Sequence, residues 1–233
     1  MKTVVAIATY NEAENIERLA KAILGLDLGL DILVIDDNSP DGTGAIADRL
    51  AAETGKVKVI HRPGKLGLGT ATLAAVRYAV EHGYDALVTM DADFSHDPKY
   101  LPAILKKIED YDIVIGSRYI AGGGVENWPL QRRLMSGMVN LYCRVMFHVG
   151  AHDYSGAYRA YRSWVLAKID PDKIISRGYS FQEEMLVRCA RTGARIGEVP
   201  IVFVDRREGS TKANRAEMIR SSLMLLRLGF WRF

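Results

Sequence analysis

Two aspartates, Asp91 and Asp93, follow an apolar run at residues 86–88 and are separated by a single residue. In an extended chain, residues i and i+2 lie on the same face, so these two carboxylates can point at one location. Carboxylates held this close repel each other, and a cation between them relieves the repulsion. Oxygen ligands favour a hard divalent ion, Mg²⁺ or Mn²⁺, which commonly also binds the phosphates of a substrate. The alternative is a solvated loop with helix-capping aspartates, and the pair alone does not decide between the two.

Short apolar runs that alternate with helical patterns predict the elements that position these aspartates. The predicted strands are residues 3–8, 32–35, 57–60, 86–90 and 113–116. The first predicted helix begins at Asn11, which has Glu14 in the capping position, and a fourth begins at Pro98. The second and third predicted helices cover residues 45–52 and 69–82. This alternation of strand and helix predicts an α/β fold with a parallel sheet covered by helices on both faces.

Polar segments follow three of the predicted strands, at residues 9–12, 36–41 and 91–95. In a parallel sheet, ligands bind beyond the carboxyl ends of the strands. We therefore expect these three segments to line one rim of the sheet, which supports a ligand site at Asp91 and Asp93.

Glycine patterns argue against two common nucleotide-binding sites. The first strand–helix turn, residues 8–12, contains no glycine and lacks the G-x-G-x-x-G turn of nicotinamide-dependent oxidoreductases. Residues 64–70 are rich in glycine but do not end in the G-K-[ST] of a P-loop. This second segment fits a flexible loop before the third helix as well as it fits a functional loop.

The composition is that of an ordinary globular protein with 233 residues, of which 48% are hydrophobic and 25% charged. The net charge of +3 is too small to indicate nucleic-acid binding. Cys143 and Cys189 are isolated, so we expect neither a disulfide framework nor a zinc site, and a reduced cytoplasmic compartment fits. The first apolar run is too short for a signal peptide, and no apolar stretch approaches the roughly 20 residues of a membrane-spanning helix.

The second half of the chain is less regular. Three glycines at residues 122–124 indicate a mobile loop, and a helix predicted at residues 129–147 carries Arg132, Arg133 and Ser136. Arg132 and Ser136 are four residues apart and share one face of that helix, although taken alone the two arginines fit a solvated face better. Further predicted elements are a strand at 154–161, a helix at 181–191, a strand at 196–204, a basic loop at 205–212 and a helix at 218–233.

Seven segments carry motifs of one known family: residues 8–15, 36–43, 90–96, 116–119, 155–159, 178–185 and 197–212. With these segments the chain resembles the inverting GT-A glycosyltransferases, and more narrowly the dolichol-phosphate (polyprenol-phosphate) mannose synthases. The resemblance implies a Rossmann-like GT-A fold, α/β, with a mostly parallel sheet flanked by helices and an irregular C-terminal half that binds the acceptor. We expect one domain over residues 1–233, with a nucleotide-sugar-binding half (1–120), an acceptor half (121–212) and a C-terminal helix (213–233).

The resemblance also implies an activity: metal-dependent transfer of mannose from GDP-mannose to dolichyl or polyprenyl phosphate, with inversion at the anomeric carbon. The residues implied to bind the nucleotide sugar are Ala8, Tyr10, Glu12, Ile35, Asp37, Asp91, Ala92, Asp93, Arg118, Arg206 and Lys212. Asp91 and Asp93 would hold Mg²⁺ or Mn²⁺, and Ser95 is a weak third ligand where some family members have glutamine. Ala8 stands where many members have proline, which removes turn rigidity but no side-chain contact.

These residue types suit a nucleoside diphosphate as the leaving group. Negative charge grows on the diphosphate as the bond breaks, and a metal on Asp91 and Asp93 stabilises it together with basic side chains. We expect Arg206 and Lys212 to close over the diphosphate, and arginine suits this role because it pairs bidentately with phosphate oxygens. We expect Asp91, Asp93 and Arg118 to be catalytic, and Arg118, Arg132 and Ser136 to bind the acceptor phosphate.

The type of acceptor decides whether a general base is needed. A lipid phosphate is already ionised near neutral pH and attacks without one, and the sequence offers no obvious pair of histidine and carboxylate at the rim. A sugar hydroxyl would need a base, and Asp153, Glu183 and Glu184 would then be the candidates.

A lipid acceptor requires contact with a membrane. Residues 218–233 mix apolar side chains with arginines and suit a helix lying on an anionic bilayer surface, and a helix docked on the sheet is the alternative. We expect an enzyme that is peripheral to the cytoplasmic face of a membrane, recruited by itself or by a separate membrane-anchoring subunit. A UDP-sugar-dependent transferase, for example a polyprenyl-phosphate glucosyltransferase, and a non-catalytic nucleotide-sugar-binding subunit are the alternative functions.

Overall fold

The computed structural model describes residues 1–176, 178, 180–205, 224, 225 and 227. Its strands are β1 (Thr3–Thr9), β2 (Asp31–Asp36), β3 (Val57–His61), β4 (Ala86–Asp91), β5 (Ile113–Ser117), β6 (Gly124–Glu126), β7 (Arg159–Arg162), β8 (Ile196–Pro200) and β9 (Val202–Val204). Its α-helices are α1 (Ala13–Leu24), α2 (Thr43–Thr54), α3 (Leu68–Glu81), α4 (Leu101–Lys107), α5 (Leu130–Phe147), α6 (Ser163–Ala167) and α7 (Phe181–Ala190). Short 3₁₀ helices lie at Pro98–Tyr100 and Pro171–Lys173.

Within the described residues, seven strands form one sheet in the order β3-β2-β1-β4-β7-β5-β8, and β6 pairs with β9 in a small second sheet. The pairings in the large sheet are parallel except for the two that β7 makes. The prediction of a mostly parallel α/β sheet is therefore confirmed. However, β5 is not the neighbour of β4, because β7 lies between them. Both predicted halves of the chain thus contribute strands to the same sheet.

The apolar strand runs are explained by burial on both faces of the sheet. Successive side chains of β1 point to opposite faces, so Val4 and Ala6 join the core cluster that contains residues of α3. Val5 and Ile7 join the cluster that contains residues of α1 and α2. A parallel strand that is covered on both faces needs an unbroken apolar run, which is the pattern of β1, β2 and β4.

The start of α1 differs from the predicted cap. Asn11 has a positive φ of 60°, and the helix begins at Ala13 without a side-chain cap of its own. The loop after β2 binds the amides at this end instead: the Asn11, Glu12 and Ala13 amides donate to Ser39 Oγ, Thr43 Oγ1 and Asp41 Oδ2 respectively. The predicted cap was wrong because a neighbouring loop satisfies the helix end, and this ties the first two polar rim segments together.

Two predicted strands of the second half are shorter or divided. The strand expected at residues 154–161 is confined to Arg159–Arg162. The strand expected at 196–204 breaks at Ile201, whose amide donates to Ser117 O while its carbonyl accepts from the Gly124 amide. One residue therefore joins the large sheet to the small one.

The glycines at residues 122–124 lead from a turn into β6. A Cβ atom on Gly123 would lie 2.5 Å from Ser117 O, so only glycine fits at this position.

Several predictions concern residues that the structure does not describe. Arg206 and Lys212 lie outside the described residues, as does most of the predicted C-terminal helix at residues 213–233. Of that segment, Leu225 is buried, and its carbonyl accepts a hydrogen bond of 3.2 Å from the Tyr142 hydroxyl of α5. None of the described helices combines enough length with enough apolar character to cross a bilayer.

Candidate active site

The two aspartates lie where β4 ends and the chain turns. Asp91 is the last residue of the strand, and Phe94 has a positive φ of 61°, which reverses the backbone after Asp93. The Ser95 hydroxyl donates to Asp93 Oδ1 at 2.5 Å, and the Ser95 amide donates to the same oxygen at 3.1 Å. The turn thus fixes the orientation of the Asp93 carboxylate, while Asp91 remains partly open to solvent.

His96 supports this turn from inside the protein. Its Nδ1 atom accepts a hydrogen bond of 2.9 Å from the Asp91 amide. Burial disfavours the imidazolium and lowers the pKa of His96, although the nearby Asp91 and Asp93 oppose that shift. A neutral ring with Nδ1 as acceptor follows, so the 3.6 Å approach of Nδ1 to Asp91 Oδ2 is not an ion pair. His96 holds the backbone of Asp91 through Nδ1, and this nitrogen is therefore not available to a metal.

The donor set at this turn fits a hard divalent cation. Asp91 and Asp93 offer carboxylate oxygens, and Nδ1 of His96 accepts a hydrogen bond from the Asp91 amide. Oxygen-only ligands favour Mg²⁺ or Mn²⁺ over softer metals. Among the described residues, no cluster of three or more histidine, cysteine, aspartate or glutamate side chains is placed to hold a metal. Two carboxylates leave room for substrate phosphates in the coordination sphere, as is usual for Mg²⁺.

A cleft adjoins Asp91 at the carboxyl ends of the central strands. Ala8 of β1 pairs with Ile35 of β2 on one side and with Asp91 of β4 on the other, so three predicted site residues lie side by side. The cleft is lined by Ala6, Ala8, Ile35, Leu68, Ala71, Thr72, Ala75, Thr89, Met90, Asp91, Ala157 and Gln182. Sequence reasoning missed Gln182, which reaches this cleft from the first turn of α7.

Asp37, predicted to contact the nucleoside, is bound to the glycine-rich loop. It forms a buried ion pair with Arg62, and its Oδ2 accepts a hydrogen bond of 3.1 Å from the Leu66 amide. Arg62 also donates to Thr70 Oγ1 at 2.6 Å, at the start of α3. The Lys65 ammonium lies 4.3 Å from the centre of the Tyr10 ring. The loop at residues 62–70 therefore contacts two of the predicted nucleoside-binding residues, and Arg62 was not found from the sequence.

Glu12, another predicted nucleoside contact, is mostly buried, and its Oε2 accepts a hydrogen bond of 2.9 Å from the Asn15 amide group. Asp36 is also buried, and it receives hydrogen bonds from Thr9 and Ser39 that shape the loop after β2. The roles predicted for Tyr10, Glu12 and Asp37 in nucleotide binding remain predictions.

Arg118 forms a buried ion pair with Asp153. Its Nε and Nη2 atoms donate to the two carboxylate oxygens of Asp153 at 2.7 Å each, and Nη2 also donates to Ser155 Oγ at 2.8 Å. Burial alone would raise the pKa of Asp153, but the adjacent guanidinium of Arg118 outweighs it and lowers the pKa. Asp153 is thus committed to Arg118, which removes it as a candidate general base.

Both arginines predicted to bind the acceptor phosphate lie close to one indole ring, that of Trp128. The guanidinium carbon of Arg118 lies 5.3 Å from the Trp128 ring centre, and that of Arg132 lies 4.1 Å from it. Arg132 also forms an ion pair with Asp205, the first residue of the predicted basic loop. Ser136 follows one turn after Arg132 on α5. The structure therefore brings Arg118 and Arg132 close to the same side chain, Trp128. No sequence pattern indicated a role for Trp128.

The two remaining candidate bases are buried. Glu184 forms an ion pair with Arg188 and accepts hydrogen bonds from the Ile175 and Ser176 amides. Burial raises the pKa of Glu183 to about 8, and among the described residues nothing donates a hydrogen bond to its Oε2. Neither side chain is exposed at the rim, so neither has the access that a base for a sugar hydroxyl needs.

The mostly parallel sheet, with an Asp-x-Asp turn at the end of a central strand beside a cleft, defines a GT-A glycosyltransferase fold. Solved structures share it. Glucosyl-3-phosphoglycerate synthase of Mycobacterium tuberculosis matches 98% of this chain and 78% of its own, with a TM-score of 0.67 and 16% identity. A mannosyltransferase of Pyrobaculum calidifontis, solved with GDP-mannose and Mn²⁺, matches 97% of this chain and 64% of its own, with a TM-score of 0.63 and 18% identity.

Sequence comparison gives the family. Residues 4–170 match the model of glycosyl transferase family 2, and the chain belongs to this family. It is 47% identical to the undecaprenyl-phosphate mannosyltransferase of Micrococcus luteus, over 91% of this chain and 87% of that protein. It is 45% identical to the polyprenol monophosphomannose synthase of Mycolicibacterium smegmatis, over 91% of this chain and 80% of that protein.

Proposed function

We propose that this chain transfers mannose from GDP-mannose to a polyprenyl phosphate, with inversion at the anomeric carbon. The observation that carries the proposal is the 45–47% identity, over 91% of the chain, to two enzymes that mannosylate polyprenyl phosphates. The structure adds two separate groups of side chains with suitable chemistry. One is the carboxylate turn beside the cleft, and the other is the pair of arginines around Trp128.

The carboxylate turn serves the leaving group in this proposal. The bond from the anomeric carbon to the diphosphate breaks, and the electron pair leaves with the nucleoside diphosphate. Mg²⁺ or Mn²⁺ held by Asp91 and Asp93 would stabilise the charge that grows on the diphosphate. Ser95 orients the Asp93 carboxylate through two hydrogen bonds, and His96 holds the backbone of Asp91. Ala8 and Ile35 line the cleft beside Asp91.

The arginine pair serves the acceptor. Phosphate oxygens pair well with guanidinium groups, and Arg118 is held rigid by its two bonds to Asp153. The contact with Asp153 uses Nε and Nη2 of Arg118, and Nη1 takes no part in it. An acceptor phosphate oxygen attacks the anomeric carbon opposite the departing diphosphate, and the new bond forms without removal of a proton. The second pKa of a phosphate monoester is about 6, so this nucleophile is ionised at neutral pH.

The ion pairs and the burial of the three candidate bases support a phosphate acceptor over a sugar hydroxyl. Asp153 is bound to Arg118, Glu184 is bound to Arg188, and Glu183 is buried with a raised pKa. A hydroxyl acceptor would need an accessible base that is ionised near neutral pH.

The proposal also places the reaction at a membrane surface. The donor is soluble in water, whereas a polyprenyl chain resides in a bilayer, so the enzyme must meet both phases. A peripheral enzyme on the cytoplasmic face satisfies this requirement, with or without a separate anchoring subunit.

The direct test is transfer of radiolabelled mannose from GDP-mannose to polyprenyl phosphate in detergent micelles, with and without a metal chelator. We expect labelled lipid that is lost with chelator and restored by Mn²⁺ or Mg²⁺. A parallel assay with UDP-glucose separates the alternative donor. Labelling from UDP-glucose but not from GDP-mannose would overturn the proposed donor, and absence of labelling from either would overturn the proposed activity.

A further inference from the structure

The face of α5 that points away from the active site is strongly apolar and exposed. Leu130, Leu134, Met138, Leu141 and Val145 are each exposed, from 58% for Val145 to 72% for Leu130. In an α-helix of 3.6 residues per turn, these positions fall within an arc of about 80°. They form one continuous stripe along the 18 residues of the helix, or about 27 Å. We call these five residues the α5 stripe.

Such a stripe is unusual on a protein surface in water. Apolar residues scattered singly on a surface need no explanation, but a contiguous exposed apolar patch marks an interaction site. The buried residues of α5, Asn140 and Cys143, lie on the opposite side, where the helix packs on the rest of the protein. The stripe is therefore a second apolar face that the described part of the fold does not cover.

The charges of α5 distinguish a bilayer from a protein partner. The helix contains three arginines and neither aspartate nor glutamate. Arg133 and Arg144 are exposed and lie about 40–60° from the edge of the stripe around the helix axis. Exposed arginines that border an apolar face can extend to anionic headgroups while the apolar side chains enter the acyl region. Basic residues near an anionic leaflet add electrostatic attraction.

The position of Arg132 independently supports the same orientation of α5, with its stripe toward the acyl chains of the bilayer. It lies roughly opposite the centre of the stripe on the helix, on the side of Trp128 and Asp205. Interfacial helices sink about 5–10 Å into the boundary between headgroups and acyl chains, and a helix with its side chains is about 10–12 Å wide. A helix seated on its stripe therefore holds Arg132 near the level of the headgroup phosphates. That is the level at which a polyprenyl phosphate presents its own phosphate.

We propose that the α5 stripe is the surface by which this enzyme binds an anionic bilayer, and that this seating aligns the acceptor phosphate with Arg132. The second part rests on the proposed function; the first does not. The surface differs from the C-terminal segment expected from the sequence, because α5 precedes that segment and is itself the carrier of Arg132 and Ser136.

The test is flotation of the full chain with vesicles of equal parts phosphatidylcholine and phosphatidylglycerol. The variant carries Leu134→Gln, Met138→Gln and Leu141→Gln together. The matched control carries Val80→Gln and Trp164→Gln, which remove exposed apolar side chains from α3 and α6. We expect the wild type and the control to float, and the α5 variant to lose at least about tenfold in vesicle affinity. Its circular dichroism and melting temperature should match those of the wild type, because all three side chains are exposed.

A site-specific probe reports the contact directly. A polarity-sensitive dye on Leu141→Cys should increase its emission on vesicles, whereas the same dye on Val80→Cys should not. Both natural cysteines are buried, so the introduced thiol is the one that reacts. Equal flotation of the α5 variant and the wild type would overturn the proposal, and so would a wild type that does not float. Light scattering that shows a dimer dissolved by the α5 substitutions would assign the stripe to a second copy and overturn it too.

Activity separates this proposal from the proposed function. The α5 variant should still transfer mannose to a short prenyl phosphate that dissolves without vesicles, while transfer to polyprenyl phosphate in vesicles falls at least about tenfold. If the wild type uses neither acceptor, the proposed function fails, and the flotation result still decides the membrane contact. If the α5 variant retains full transfer in vesicles, the proposed alignment of the acceptor phosphate is wrong.

Discussion

Arg118 and Asp153 face each other through two parallel hydrogen bonds of 2.7 Å in the interior of the protein. The Arg118 amide donates to the same carboxylate at 3.0 Å, so Asp153 fixes both the backbone and the side chain of the arginine. The Asp153 carboxylate therefore orients a guanidinium that is predicted to bind phosphate. Such an arrangement keeps the cation in place before the acceptor arrives.

Removal of one partner of this ion pair should be costly. Asp153→Asn leaves the buried guanidinium without its countercharge, which typically costs about 3–5 kcal/mol in the free energy of unfolding. Urea denaturation followed by circular dichroism measures this loss. The matched control is Asp172→Asn, because Asp172 pairs with Arg77 at 3.4 Å on an open surface and should change stability by less than about 1 kcal/mol. Equal effects of the two substitutions would show that the buried pair is not a stabilising feature.

Ser95 should act on metal affinity through Asp93. Its hydroxyl donates to Asp93 Oδ1 at 2.5 Å, and loss of an orienting partner of this kind commonly reduces metal affinity about 10–100-fold. We therefore expect Ser95→Ala to weaken Mn²⁺ binding by that factor, measured by calorimetric titration in the presence of GDP. Ser176→Ala is the control, since that buried hydroxyl has no hydrogen-bond partner among the described residues. Unchanged Mn²⁺ affinity in Ser95→Ala would exclude both the orienting role and a direct ligand role for the hydroxyl.

The sequence was sufficient to predict the rim on which the site lies. Parallel strands end at one edge of a sheet, so the polar segments after β1, β2 and β4 had to meet there. The register of the strands places Ala8 between Ile35 and Asp91, as that prediction requires. The family resemblance and the strand pattern thus agree on the fold and on the carboxylate turn.

The contacts that hold the site together could not be predicted from the sequence. Arg62 follows β3 as an isolated basic residue, and only the folded chain brings it to Asp37. Trp128 lies in a loop before α5, with no pattern that relates it to Arg118. The insertion of β7 between β4 and β5 was missed for a similar reason: a strand of four residues has too little periodicity to show its direction or its partners.

Arg62 should control binding of the nucleotide sugar and not the chemical step. It connects Asp37 to Thr70 and so holds the glycine-rich loop over the predicted nucleoside site. Arg62→Lys keeps the positive charge but loses the planar guanidinium that bonds to two partners at once. We therefore expect KM for GDP-mannose to rise about tenfold to hundredfold, while kcat stays near that of the wild type. Arg49→Lys is the control, because Arg49 pairs with Glu17 on the surface. A fall in kcat at unchanged KM would instead place Arg62 in the catalytic step.

Glu183 should make the stability of the protein depend on pH. Burial raises its pKa from the ordinary 4.5 to about 8; Asp153 adds to this increase, whereas Arg159 and Arg118 oppose it. Below pH 4.5 the carboxyl is protonated in both the folded and the unfolded states, so it carries no penalty. Between pH 4.5 and about 8 the unfolded chain releases the proton and the folded protein keeps it. Stability is therefore lost as pH rises, by about 1.4 kcal/mol for each pH unit, and the loss levels off above the folded pKa.

Glu183→Gln removes this dependence because the amide is neutral at every pH. The difference in unfolding free energy between the variant and the wild type should grow in favour of the variant from pH 5 to pH 8, by on the order of 4 kcal/mol, and then level off. Chemical denaturation at a series of pH values measures the difference, in which the titrations of all other groups cancel. A flat difference for Glu183→Gln would mean that Glu183 is ionised in the folded protein, and this carboxylate would again be a candidate for a general base.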